Sequence, residues 1–68
     1  MQIRINGEDK EVQPNLNIKE LIKQLNMDLL KSGIAVAVDR EVIPKSKWET
    51  FILEDGSVVE IIRAVQGG

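Results

Sequence analysis

Cysteine, histidine and tyrosine are absent from this chain of 68 residues, and Trp48 and Phe51 are its only aromatic residues. Without cysteine the chain has no disulfide framework, no thiol nucleophile and no zinc knuckle. Without histidine it lacks the commonest metal ligand and general base. These absences argue against catalysis and against metal binding, so we expect neither an enzyme nor a metal site.

Long apolar runs are also missing. The longest spans residues 34–38, far below the roughly 20 residues that a membrane helix needs. The N-terminal residues enter an alternating pattern at once, without the charged and then apolar layout of a signal peptide. We therefore expect a cytoplasmic protein that does not interact with membranes.

The charges of the chain are nearly balanced. Nine Lys and Arg residues stand against eleven Asp and Glu residues, for a formal net charge of −2. The basic residues are interspersed with acidic ones and no aromatic ladder accompanies them, so nucleic-acid binding is not expected. Apolar residues make up 43% of the chain, which is enough for one small folded domain, expected to be a monomer when free.

Alternating apolar residues and turn signals predict five strands. Asn6-Gly7 favours a type I′ turn, and Asp39-Arg40 and Asp55-Gly56 mark two further tight turns. If the last strand lies beside the first, the two should run parallel in the centre of the sheet. The predicted strands span residues 1–5, 10–13, 34–38, 41–43 and 58–65.

One helix is predicted between the second and third strands. Asn17 is a favourable N-cap and Glu20 completes the capping-box pattern, while Leu16 and Leu21 have the spacing of a hydrophobic staple. The apolar residues within 27–30 are expected to cover the edge of the sheet. The helix should pack on the sheet through one apolar stripe, formed by Ile18, Leu21, Ile22 and Leu25.

The C-terminus is the feature that stands out chemically. We expect residues 1–65 to form the folded domain, an α+β roll with one main helix on a mixed sheet of four to five strands. Residues 66–68 are expected to form a flexible tail. Gly67 and Gly68 carry no side chains, which lets an extended tail enter a narrow channel and lets a partner approach its carbonyl carbon. A terminal diglycine alone is more often silent, but combined with a ubiquitin-like order of elements it favours a functional tail.

Several segments along the chain are distinctive when taken together. They are Asn6-Gly7-Glu8, residues 33–38, Pro44 with Trp48, Asp55-Gly56, and residues 59–61 and 63–68. Together they resemble ThiS, the sulfur carrier family of thiamin biosynthesis. The resemblance covers essentially the whole chain and is most specific at the C-terminus. The chain differs from the family at Asp39-Arg40, where an Asn-Gly turn is common.

This resemblance implies a β-grasp, ubiquitin-like domain that serves as a sulfur carrier. It implies that an ATP-dependent activating enzyme adenylates the carboxylate of Gly68, which is then converted to a thiocarboxylate. The partner enzymes would recognise Val65, Gln66 and Gly67. Thiazole synthase would accept the sulfur for thiazole formation in thiamin biosynthesis. ATP and a sulfur donor would be used by the activating enzyme, so no cofactor is expected on this chain.

Alternatives to this function remain open from the residues alone. One is a ubiquitin-like module that binds or modifies other proteins, with Gly68 joined to lysines of its targets. The other is a sulfur carrier that delivers to molybdopterin synthesis.

Two groups of side chains also admit two interpretations each. Trp48 fits either a core position or an interface hot spot, and the core is favoured. Ile61-Ile62, with Val58 and Val65, fits either an apolar docking patch beside the tail or a central strand covered on both faces.

Overall fold

The first and last strands lie side by side in a five-stranded mixed sheet. The computed structural model describes residues 1–25 and 33–64. Its elements are β1 (Gln2–Ile5), β2 (Glu8–Glu11), α1 (Ile18–Gln24), β3 (Gly33–Val38), β4 (Glu41–Ile43), a 3-10 turn (Lys45–Lys47) and β5 (Val58–Ala64). The strand order is β2-β1-β5-β3-β4. Strands β1 and β5 run parallel, whereas the other neighbours are antiparallel, so the α+β roll is confirmed.

The N-terminal hairpin contains the predicted turn. Asn6 and Gly7 have φ angles of 49° and 85°, and positive φ at both central residues is the requirement of a type I′ turn. The return strand lies at residues 8–11 rather than the predicted 10–13. Val12 follows β2 and its side chain is buried in the core. Its N–H donates to the Met1 carbonyl over 2.8 Å.

Helix α1 begins at the predicted cap. Asn17 Oδ1 accepts from the Glu20 N–H over 2.7 Å, which satisfies one of the free amides of the first turn. Glu20 Oε1 accepts from the Asn17 side-chain amide over 3.1 Å, whereas a capping box uses the backbone N–H of the cap residue. The predicted cover by residues 27–30 lies outside the described residues.

The core lies between α1 and one face of the sheet. Trp48 belongs to it, since its side chain is buried and its Nε1–H donates to the Ile43 carbonyl over 2.9 Å. The larger side chains of β3 are buried in this core, whereas the alanines between them lie on the other face of the sheet. Buried core residues are Ile3, Val12, Leu16, Ile18, Leu21, Ile22, Ile34, Val36, Val38, Ile43, Trp48, Leu53, Val59 and Ile61, with Met1, Ile5, Leu25 and Phe51 partly buried against them.

The turn between β3 and β4 has positive φ angles at both of its central residues, Asp39 and Arg40. Asp39 has a φ angle of 50° and Arg40 of 70°, so both central residues lie in the left-handed region. Aspartate tolerates this region, but for arginine the Cβ is crowded against the backbone.

Arg40→Gly is therefore expected to stabilise the protein by about 0.5–1 kcal/mol, because glycine removes the left-handed penalty at some cost in unfolded-state entropy. Urea unfolding followed by circular dichroism measures the difference. Arg40→Ala is the matched control, since it removes the same charge but keeps a Cβ. A gain with alanine as large as that with glycine would assign the effect to charge rather than to backbone strain.

Candidate functional site

The residues predicted to carry the chemistry are Val65, Gln66, Gly67 and Gly68, and they lie outside the described residues. The predicted boundary between domain and tail, at residues 65 and 66, lies there too. What the structure describes is the strand that leads to them. Strand β5 occupies the centre of the sheet and ends at Ala64, one residue before the first of them.

The start of β5 is fixed from both sides by backbone and side-chain hydrogen bonds. On the β3 side, the Asp39 N–H donates to the Val58 carbonyl over 2.8 Å. The Val58 N–H in turn donates to Asp39 Oδ1 over 3.1 Å. On the β1 side, the Asn6 N–H donates to the Val59 carbonyl over 2.9 Å.

Asn6 also binds further along β5 through its side chain. Its Oδ1 accepts from the Ile61 N–H over 2.9 Å, and its Nδ2–H donates to the Ile61 carbonyl over 3.3 Å. The side-chain amide thus replaces a backbone peptide group and prolongs the β1–β5 ladder after β1 has ended at Ile5. Sequence analysis identified Asn6 only as a turn residue, because its partner is 55 positions away.

The last residues of β5 form a two-stranded ribbon with β3. Strand β4 pairs with β3 no further than the pair Val36↔Ile43. On the other side of β5, the Asn6 side chain reaches Ile61, which is the partner of Val36. We call the remaining pairs, between residues 33–35 and 62–64, the tail ribbon. Among the described strands, residues 62–64 pair only with β3.

The sheet face opposite α1 exposes apolar side chains. Ile62 is 57% exposed, Val58 43% and Val42 69%. The register places Val42 beside Ala37 and Ile62 beside Ala35. We call the surface of these five residues the open face.

Ile61 and Ile62 lie on opposite faces of β5, and each face fits one of the two interpretations offered by the sequence. Ile61 is buried in the core, whereas Ile62 and Val58 are exposed on the open face. No described element covers that face. Val65, the fourth residue of the predicted patch, lies outside the described residues. Glu60 is exposed and pairs with Ala37, so an acidic group stands within the open face.

Other chemistry is sparse in the described part of the chain. Among residues 1–25 and 33–64, no group of three or more acidic residues is placed to hold a metal ion. The pKa of Glu49 is lowered from its usual value by a 2.7 Å hydrogen bond from Lys19 Nζ and by the charge of that lysine. This ion pair is on the surface and joins α1 to the segment after Trp48. No helix in the same residues is long and apolar enough to cross a membrane.

Comparisons with known proteins give one consistent likeness. The family model described as "ThiS family" matches residues 3–68. The chain is 28% identical to the sulfur carrier protein ThiS of Escherichia coli (strain K12), and the match covers the whole of both chains. It is 31% identical over 68 residues to a thiazole synthase of Paramagnetospirillum magneticum, but spans only 20% of that protein.

Solved structures show the same likeness. The crystal structure of the thiamine biosynthesis protein ThiS from Geobacter metallireducens has a TM-score of 0.85 at 26% identity, with both chains fully covered. A solution NMR structure of a thiamine biosynthesis protein from the same organism has a TM-score of 0.80 at 26% identity, with 88% of that chain covered. The β-grasp fold expected from the sequence is thereby confirmed.

Proposed function

Because this chain belongs to the ThiS family, as the family match over residues 3–68 shows, we propose that it carries sulfur as a thiocarboxylate on Gly68. It then donates this sulfur for thiazole formation in thiamin biosynthesis. The observation that carries the proposal is the alignment of the chain with a named sulfur carrier over the full length of both. The chain is accordingly a protein substrate of other enzymes rather than an enzyme.

The composition of the chain agrees with this chemistry. With no cysteine, it has no thiol on which to hold a persulfide, so its sulfur must be bound elsewhere. A terminal carboxylate is ionised at neutral pH, since its reference pKa is about 3.3–3.7, and it is a poor electrophile until activated. Glycine at the last positions leaves the carbonyl carbon open to attack.

The proposed reaction has two steps on the Gly68 carboxylate. First, a carboxylate oxygen attacks the α-phosphate of ATP, pyrophosphate leaves, and an acyl adenylate forms on the chain. Second, a sulfur nucleophile at the oxidation level of hydrosulfide attacks the acyl carbon and AMP leaves as the thiocarboxylate forms. The activating enzyme supplies ATP and the sulfur donor, so the chain needs no bound cofactor. The requirement for ATP is consistent with action in the cytoplasm.

Thiazole synthase is the proposed acceptor of the sulfur. A segment similar to this chain makes up a fifth of a protein named thiazole synthase. Joining two modules in one polypeptide raises their effective concentration for each other, which is useful when they work together. This observation favours thiazole formation over molybdopterin synthesis. It also favours a carrier over a protein modifier, whose Gly68 would be linked to lysines of other proteins.

We further propose that the activating enzyme binds the open face. Ile62 stands on that face three residues before Val65, so an enzyme that takes the tail into its active site lies next to this side chain. Exposed apolar residues beside a required contact are typical of a docking surface. A cation on the enzyme would complement Glu60.

Ile62→Ser is expected to raise the KM of the activating enzyme for this chain about tenfold and to leave kcat unchanged, because it removes apolar contact area but no reacting group. ATP–pyrophosphate exchange with the purified enzyme measures both constants. Ile52→Ser is the matched control. Ile52 is also exposed, at 46%, but it bridges to Asn17 beside the start of α1. Equal effects of the two substitutions would contradict docking on the open face.

A further inference from the structure

We propose that Asn6 is a positioning residue for the tail: its side-chain amide fixes the root of the tail ribbon, the segment that immediately precedes Val65 in the sequence. The inference rests on the proposed function of Gly68. It assigns to the N-terminal hairpin a part in the reaction of the C-terminus, although the two are far apart in sequence.

The turn at position 6 does not by itself require asparagine. At a φ angle of 49°, glycine, asparagine and aspartate are all acceptable. Only asparagine among them both accepts from the Ile61 N–H and donates to the Ile61 carbonyl, since aspartate has no donor and glycine has no side chain. Both hydrogen bonds are partly buried, which reduces competition from water.

These two hydrogen bonds hold β5 at the point where the tail ribbon begins. Val36 and Ile61 pair with each other, and each has a further partner on its other side. Strand β4 lies beside Val36, and the Asn6 side chain lies beside Ile61. Among the described residues, no β3–β5 pair closer to the tail has partners on both sides. Beyond that pair, the described sheet narrows to the two strands of the tail ribbon. A two-stranded ribbon is only marginally stable by itself. Its direction therefore depends on how firmly it is held at its root, at Ile61.

Small changes at the root are magnified at the end of the tail ribbon. Ala64 lies three residues beyond Ile61, about 10 Å along the strand. A rotation of about 10° at the root would displace Ala64, and with it the point from which the tail starts, by about 2 Å. Displacements of about 1 Å are enough to slow reactions that depend on aligned groups. The Asn6 contact should therefore affect the rate of the bound complex more than its formation.

The test is Asn6→Gly in the full chain, assayed with the activating enzyme by ATP–pyrophosphate exchange. Glycine keeps the turn and removes both side-chain bonds. We expect kcat to fall about 5- to 30-fold, the range that one to two lost hydrogen bonds correspond to. We expect KM to stay within about twofold, since the open face is untouched. Amide hydrogen exchange at Ile61, whose N–H donates to Asn6 Oδ1, should accelerate by a similar factor.

Asp39→Gly is the matched control. It also replaces a residue at positive φ and removes a side-chain bond to the backbone of β5, but at Val58, the end of the strand remote from the tail. It should leave kcat unchanged. Asn6→Asp, which keeps the acceptor for the Ile61 N–H but loses the donor, should have an intermediate kcat and serves as the second variant if the glycine variant is unstable.

The outcomes separate this inference from the proposed function. Loss of kcat in Asn6→Gly but not in Asp39→Gly supports a positioning role. Equal kcat values in the two variants, or unchanged amide exchange at Ile61 in Asn6→Gly, would overturn it. Absence of adenylation in the unaltered protein would instead contradict the proposed function. Amide hydrogen exchange at Ile61 is measured without the activating enzyme, so it tests the Asn6 contact independently of adenylation.

Discussion

Removal of Gly67 and Gly68 is expected to abolish adenylation and thiocarboxylate formation and to leave the domain folded. The described core ends with Ile61 on β5, so the deletion removes no residue of that core. Its effect on the free energy of unfolding should stay within about 0.5 kcal/mol, as for other changes away from the core. The loss of activity should be complete, because the shortened chain presents Gln66 instead of glycine at the reacting carbonyl.

The deletion is measured by thermal unfolding and by ATP–pyrophosphate exchange on the same preparations. Glu54→Gln is a control that changes an exposed side chain outside the described strands and helix and should alter neither property. If the shortened chain fails to fold, the tail is part of the domain, contrary to the expected boundary between residues 65 and 66. If it folds and is still adenylated, Gly68 is not the reacting residue.

Trp48→Ala is expected to give the largest loss of stability. The side chain is 3% exposed, and replacing a buried tryptophan by alanine costs about 3–5 kcal/mol. A domain of this size has a total stability of only about 3–10 kcal/mol. Much or all of the protein should therefore unfold at moderate temperature. Urea unfolding with fluorescence-independent detection, such as circular dichroism, measures the change.

Trp48→Phe separates the contribution of the Trp48 hydrogen bond to stability from that of the buried aromatic ring. Phenylalanine keeps an aromatic ring in the core but removes the hydrogen bond to the Ile43 carbonyl, for an expected loss of about 1–3 kcal/mol. A Trp48→Ala protein of normal stability that binds the activating enzyme weakly would contradict the core position of Trp48. It would instead support the interface role that the sequence left open.

Local signals account for the part of the fold that was predicted correctly. The N-cap Asn17, the Asn6-Gly7 turn and the alternation in β3 each act between neighbouring residues, so they can be read from spacing alone. The prediction placed β2 two residues too late because residues 8–11 are all charged and carry no apolar alternation. No element was predicted at residues 45–47, where the structure has a 3-10 turn, since so short a turn leaves no periodic pattern in the sequence.

Non-local features of the site were beyond the sequence. The contact of Asn6 with Ile61 joins two strands that are adjacent only in the folded sheet. Periodicity places Ile61 and Ile62 on opposite faces of β5, but it does not show which face a helix covers. Which face is covered depends on where α1 packs. In the folded chain Ile61 is buried and Ile62 is exposed.

The most direct test of the proposed function is mass spectrometry of the intact chain and its C-terminal peptide, after incubation with the activating enzyme, ATP and a sulfur donor. A thiol-alkylating reagent is essential, because replacing oxygen by sulfur has nearly the same mass as oxidation of a methionine. Since the chain has no cysteine, alkylation located at Gly68 identifies a thiocarboxylate, and this is the predicted result. An unmodified Gly68, or Gly68 linked to lysine of another protein, would contradict the sulfur-carrier function.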